Sequence, residues 1–514
     1  MKNLYNILLV LFSLLVITSC NDDEFLKQKS PDELNSSSFW RDETDAQSGL
    51  VAAYAELEAR SSFWDGWQEG RPVIEWFRSD HVNLGVDRYT HWSSIYNFSY
   101  TNGHTFVNLI WRLNYRGINA ANQVITRVGE MTSDQISDQA KKQIIAEATF
   151  LRGYYHFKLL SLYEQIVVRT EMVTAETLDS PLSTRAEAWG AIISDFKTAS
   201  ENLTASVSSE NIGRATKGAA LAYLGKAYLH KAGDPTSSET NDFEGVVNAL
   251  KPIVDGTVGD YALETDFRSQ FNGENENNSE SIFELQFKTG DATSWNATAL
   301  HFFIGDGAIG GWGGIEGNQG LLQEMKSEGK IASEGLYDAR LYGSLFFKDE
   351  YFNSGDKMQG YNWDQLMTWQ YEDEAASKDN SVYFRKFIPN DIWSVWTTGL
   401  NVVLMRHADV LLMYAEALNE NGQTSVAIPI INDVRATHGN MPTITASTQS
   451  EVKAQIIHER TMEFTLESSR FNDLRRWGLL DQAMQTAGRS NFSSAAHAYL
   501  PVPLSEINAN SNIN

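Results

Sequence analysis

Cysteine is almost missing from this chain: Cys20 is the single thiol in 514 residues. That excludes an intrachain disulfide and any zinc site built on cysteine ligands. Positive charge is also short, with 41 Lys and Arg against 66 Asp and Glu, a formal net charge of −25. Phosphate backbones and anionic lipid surfaces are bound by basic footprints, so nucleic acid and a basic membrane-binding face are excluded. Catalytic signatures are lacking as well. No H-E-x-x-H, G-x-S-x-G or phosphate-loop spacing occurs. The many carboxylates guarantee Asp/Glu pairs by number alone, and a glycosidase dyad is defined by separation in space rather than in sequence.

What the chain does have begins at the N-terminus. Lys2 supplies a positive charge, Ile7 to Ile17 form a nearly unbroken apolar run, and Ile17-Thr18-Ser19-Cys20 follows. This is the three-part form of a secretory signal peptide, and its apolar run is too short to span a bilayer as a mature helix. Small residues leading to the sole cysteine form a lipobox. The expectation is cleavage before Cys20, diacylation of its thiol and anchoring by two or three acyl chains. The alternative is an ordinary cleaved signal peptide with an incidental cysteine. Residues 1–19 are thus assigned to the signal peptide and 20–38, polar and rich in Ser and Asn, to a lipidated tether. The acidic Asn21-Asp22-Asp23-Glu24 resembles the surface-export signal of Bacteroidetes lipoproteins.

With 42% apolar residues, the rest of the chain can bury a large core without disulfides. Helical periodicity starts near Asp42. Between Lys141 and Tyr163, Ile144, Ala148, Leu151, Tyr155, Leu159 and Leu162 recur at intervals of three and four. Further amphipathic stretches run from Thr184 to Leu203, Thr216 to Ala232, Phe243 to Val254, His407 to Asn419 and Val426 to Arg435. Ala and Gly on Thr216–Ala232 let a neighbouring helix come close, and a helix, a short turn and a second amphipathic helix form the unit of tetratricopeptide repeats. A long, densely charged helix is predicted from Glu451 to Trp477, with Glu459, Glu463, Arg470 and Arg475 read as structural ion pairs. Residues 60–110 and 265–400 differ. Gly, Asn, Asp and aromatic residues dominate there, periodicity is poor, and segments of that length are functional or disordered. Their tryptophans argue for an ordered, aromatic, loop-built surface on a helical scaffold.

Five segments carry a resemblance to a known family. They are Ala146–Tyr163, Gly213–His230, Arg406–Gly422, Ala427–Arg435 and Glu459–Gly478, joined by the closing Leu500-Pro501-Val502-Pro503 with Glu506-Ile507. Together with the lipobox they resemble the SusD/RagB family of surface glycan-binding lipoproteins. Two departures are local: Glu164-Gln165-Ile166 stands where the family has Gly and Pro, and the chain stops at Asn514, before the usual tail. The resemblance implies an all-α fold of four tetratricopeptide-like helix pairs with a large irregular lobe carrying the ligand site. It also implies docking as a lid on a TonB-dependent transporter. On this reading 39–514 is a single domain, its scaffold mainly 110–255 and 401–485, its binding lobe mainly 60–110 and 265–400. The expected location is the cell outer membrane, lipid-anchored and surface-exposed.

A sugar ring packs its axial C–H bonds on a π-face, while its hydroxyls need carboxylate, amide or guanidinium partners. Loops interleaving such groups are Ser62–Glu69, Asp80–Trp92, Trp295-Asn296, the glycine-rich Gly305–Gly314, Trp363-Asp364 and the segment of Trp393 and Trp396. Tryptophans on apparent helices, Trp111, Trp189 and Trp477, are read as core. The platforms are expected at Trp92 and Trp312, with Trp67 and Trp295 in reserve and Asp80, Arg88 and Asn296 as hydroxyl partners. No catalytic residue and no metal are assigned. The acidic run Asn272–Glu280 leaves calcium open but lacks the spacing of a calcium loop. The expected function is non-catalytic capture of an oligo- or polysaccharide and its delivery to the transporter. The alternatives are a surface glycosidase and a binder of peptides or glycoconjugates. A neutral glucan or fructan is favoured over an anionic polysaccharide unless Arg71, Arg78 and Arg88 form a basic patch.

Overall fold

The computed structural model describes residues 39–58, 70–85, 90–288, 297–354, 357–358, 360–371, 374, 378–390 and 397–513. The leader, the tether and Cys20 lie outside these residues.

Helices build the scaffold, and each starts where its sequence allows. Asp42 caps α1 (Glu43–Ala55) by accepting from the backbone N–H of Thr44 and Asp45. His104 and Ser137 cap α2 (Thr105–Glu130) and α3 (Asp138–Leu162). Thr184 and Glu187 form a reciprocal capping box on α4 (Arg185–Asn202), satisfying donors that a helix start leaves unpaired. Thr216 caps α5 (Lys217–Ala232), which packs on α6 (Asp242–Val254). That contact is as close as the Ala/Gly content implied: a Cβ on Gly225 would lie 2.4 Å from the Leu250 side chain.

After the lobe, α7 (His407–Glu420), α8 (Thr424–Gly439) and α9 (Gln449–Phe464) resume the pattern, and α6 packs directly against α7. Successive helices α2 to α9 therefore pack in chain order, with α1 laid across α2 and α3. Trp111 and Trp189 are core residues, as their helical positions indicated, and Trp477 is half-buried.

The charged C-terminal helix departs from expectation. It ends at Phe464, and α10 (Arg470–Arg476) begins a separate short helix. Between them Leu466 and Ser468 adopt positive φ values of 64° and 65°, which bulky residues rarely take. Buried cations hold the break. The Glu463 carbonyl, left unpaired at the helix end, accepts from Lys386 Nζ at 2.9 Å and Arg406 Nη2 at 3.3 Å. Arg406 also grips the Glu467 carboxylate through Nε and Nη2 at 2.9 and 2.8 Å. The ion-pair reading of Glu459 and Glu463 holds: Arg340 joins both, and Arg435 lies 2.6 Å from Glu459.

Strand content is small. β2 (Ser281–Leu285) pairs antiparallel with β6 (Val402–Arg406), and the later part of the lobe lies between them in sequence. Within the lobe, β1 (Val82–Leu84), β3 (Ile315–Gly317), β4 (Leu345–Phe347) and β5 (Val382–Phe384) form one antiparallel sheet in the order β1-β3-β5-β4. Strands of three residues are too short to leave a readable alternation, so this sheet had no sequence signal. Among the described residues no helix is long and apolar enough to cross a membrane.

Candidate functional site

Trp312 sits in the glycine-rich loop that leads into β3. Its backbone N–H donates to the Phe302 carbonyl at 2.8 Å, Gly313 donates to Gly305 at 2.7 Å and Gly311 to Asp306 at 2.9 Å. These bonds pin a loop whose backbone has no room for side chains: a Cβ on Gly314 would lie 2.9 Å from the Trp92 ring. The Trp312 ring is half-buried, edge-on to Phe302 with centroids 5.3 Å apart.

The structure corrects the reading of Trp92 as a platform. Its ring is completely buried on the short helix Thr90–Tyr96, packed edge-on against Phe303 at 5.0 Å and 6.4 Å from Trp312. The apolar face of that helix buries it, so Trp92 is the floor beneath Trp312. Asp80 is corrected too. Arg470 clamps both of its oxygens, Nε at 3.0 Å and Nη2 at 2.8 Å. Burial opposes the Asp80 charge, but His81 and Arg470 together hold its carboxyl well below the usual range, and the carboxylate is spent in the fold. Arg71 and Arg78 are buried and build no basic surface patch. Arg78 donates to the His497 carbonyl and covers the Phe471 ring. Trp67, Arg88, Trp295 and Asn296 lie outside the described residues, as do Trp393 and Trp396.

A ring not anticipated from the sequence stands exposed on a neighbouring helix. On the helix Trp363–Tyr371, Trp363, Leu366 and Met367 are buried, while Trp369 is 66% exposed. Six residues beyond Trp363, it points about 120° from the buried stripe, so helical periodicity alone separates the two. This helix packs on the segment Gly307–Ile309 of the Trp312 loop. At its end, Tyr371 Oη donates to Asp306 Oδ1 at 2.5 Å.

The polar part of the site is assembled by sheet register. Asn83 pairs with Glu316, and Phe346 with Tyr383. The antiparallel register that pairs Gly317 with Val382 sets Glu316 beside Tyr383. Asn83, Glu316, Tyr383 and Phe346 therefore form one row on one face of the sheet. Trp363 covers its far end, stacked on Tyr383 at 6.0 Å and 5.0 Å from Phe346. Glu316 is half-buried near the other end. Burial first, then the charge of Asp306, pushes its carboxyl up to about 7, with Lys378 opposing. Burial and the bond to Asp306 hold the Tyr371 phenol well above its ordinary range. Nothing in the residues around Asp306, Glu316, Tyr371 and Tyr383 announced this grouping, because it exists only through pairing of segments far apart in sequence.

Two donor clusters resemble metal sites in composition, Glu280–His438–Glu463 and Glu328–His458–Glu459. In the first, Arg406 lies 2.6 Å from Glu280 and 2.8 Å from Glu463; in the second, Arg435 pairs with both Glu328 and Glu459. Guanidinium groups already neutralise these carboxylates, so both clusters act as ion-pair networks. In the run Asn272–Glu280, Glu274 accepts from Asn272 and Asn390, Glu276 from the Asn401 backbone, and Glu280 is tied to Arg406.

The helices form a tetratricopeptide-type scaffold that presents an aromatic lobe. Family comparison is specific. Residues 279–514 match the model described as "SusD family", and residues 24–229 match one described as "Starch-binding associating with outer membrane". The chain belongs to the SusD/RagB family of carbohydrate-binding proteins. It is 25% identical to the SusD-like protein P25 of Formosa agariphila, over 98% of this chain and 97% of that protein. Among solved structures, a SusD superfamily protein of Bacteroides vulgatus superposes with a TM-score of 0.79 at 24% identity, covering 93% of this chain and 99% of its own. A laminarin-binding SusD-like protein superposes at 0.71 with 22% identity, covering 92% and 99%.

Proposed function

We propose that this protein captures a glycan at the cell surface and passes it to a TonB-dependent transporter, while held to the outer membrane by lipid on Cys20. The observation that carries the binding half is Trp369, a tryptophan two-thirds exposed on a helix packed against the Trp312 loop. Exposing so large a ring to water forgoes burial, and stacking on a sugar restores it. Glu316, half-exposed four residues past Trp312, supplies a polar group on the same segment. The laminarin-binding neighbour and the starch-binding family description support the same ligand class. The family description naming the outer membrane, with the lipobox, supports the location, and the resemblance to the family is what supports delivery to a transporter.

A glycosidase reading would use Glu316 as acid and Asp306 as second carboxylate. Asp306 is 4% exposed and hydrogen-bonded by Tyr371, which withdraws it from attack on a sugar. Binding without cleavage is therefore the reading we adopt. It is tested by native gels cast with single polysaccharides. Retardation in at least one neutral glucan or fructan is expected; migration unchanged across the whole panel would refute it.

A further inference from the structure

Glu316 carries the next step, which rests on the glycan-binding reading. Its carboxyl is half-buried four residues past Trp312, in the sheet row between Asn83 and Tyr383. Among the described residues no hydrogen bond or ion pair engages it. Its oxygens are not sealed from solvent, so they are open to a ligand's hydroxyls in place of water. No neighbouring side chain among the described residues hydrogen-bonds it. Asn83 on β1 already accepts from Tyr96 through its side-chain oxygen. Tyr371 donates its hydrogen bond to Asp306. The charged groups that act on Glu316 are Asp306, which repels, and Lys378, which attracts but sits over the Tyr371 ring, 4.2 Å from its centroid.

We propose that Glu316 selects the ligand of this site, accepting hydrogen bonds from the hydroxyls of an uncharged glycan and, with Asp306, turning away uronic-acid and sulfated chains. Sugar hydroxyls are donors, and a carboxylate is the strongest acceptor a side chain offers. An anionic sugar brought to the same row meets the Glu316 carboxylate instead, with the buried Asp306 adding negative charge behind it. The reading extends to pH. Below about 7 Glu316 is a neutral acid, and above it a charged acceptor. Hydrogen bonds to charged groups are the stronger ones, so capture of a neutral glycan tightens as the pH rises, by roughly fivefold between pH 6 and 8.

The test uses the full mature protein and its Glu316→Gln variant, run in native gels containing laminarin, starch, alginate or polygalacturonate at pH 6 and pH 8. Thermal melts establish that the variant is folded. The expected result is retardation of the wild type by laminarin or starch, stronger at pH 8, and by neither acidic polymer. Glu316→Gln should bind the neutral glucan at the weaker, pH 6 level at both values. Equal binding and an equal pH profile in the two proteins would overturn the role of Glu316 and leave glycan binding standing. Strong retardation of the wild type by alginate or polygalacturonate would overturn the selectivity. Migration unaffected by any of the four polymers at either pH would overturn this inference, and the glycan-binding reading falls with it if the wider panel of neutral glucans and fructans fails as well.

Discussion

The Nδ1 atom of His438 lies 2.9 Å from Oε1 of Glu463, with both side chains fully buried. The other ring nitrogen faces Glu280 at 3.0 Å. Two carboxylates on opposite sides of one imidazole require two N–H donors, which only the protonated ring has. Burial works against that charge, yet Glu463 and Glu280 outweigh it and lift His438 to about 9. A group raised in the folded state contributes stability that is complete below its unfolded value near 6.5 and lost as pH climbs through its folded value. The melting temperature should therefore fall from pH 6 to pH 10, reflecting up to about 3 kcal/mol across that range. In His438→Gln that alkaline fall should be clearly smaller, although the variant is less stable at pH 6. Parallel melting curves for the two proteins over this range would rule out the buried imidazolium.

Trp369→Ala and Trp312→Ala should each weaken glycan binding by about 2 kcal/mol, roughly thirtyfold. Trp369→Ala should leave the melting temperature almost unchanged, since the ring is mostly in water. Trp92→Ala should do the reverse in its direct effect, costing about 3 to 5 kcal/mol of stability by opening a cavity; Trp111→Ala is the matching control in the helical core. Affinity electrophoresis and melts on the four variants decide it. A Trp369→Ala protein that binds as well as wild type would remove that ring from the site.

Much of the scaffold could be read before any coordinates, and the reason is length. Helices of 13 to 26 residues such as α2, α3 and α6 repeat their apolar spacing often enough to declare themselves. The break at Leu466–Ser468 escaped because its cause, the cations Lys386 and Arg406, comes from residues 60 to 80 positions away. The site was half legible. Glycine and tryptophan marked the Trp312 loop, while Trp92 looked equivalent to it because a seven-residue helix carries too little periodicity to reveal a buried face. Asp80 failed for another reason: its partner Arg470 lies 390 residues further on.

Anchoring is tested at Cys20. Cys20→Ala should abolish labelling by palmitate and release the protein from outer-membrane fractions. Continued labelling, or an unchanged membrane location, would remove the lipobox from the account.

Incubation with a retained polysaccharide should release no reducing ends between about pH 5 and 8, the range in which acid–base pairs operate. Steady release that disappears in Glu316→Gln or Asp306→Asn would establish a hydrolase on this scaffold.

The pairing of β2 with β6 has an evolutionary consequence. Because Ser281 and Arg406 are cross-strand partners, the polypeptide leaves the scaffold and returns to it about one strand spacing away. Insertions whose ends are this close disturb a host fold little, so the intervening stretch can lengthen, shorten or be exchanged between relatives while the helices keep their packing. One constraint survives such exchange. The strand Val82–Leu84 belongs to the early part of the lobe, outside this excursion, and borders Ile315–Gly317, so a transplanted stretch must still offer an edge that this strand can join. Ligand preference in such proteins is thus free to drift within one long excursion, provided a three-residue seam is kept.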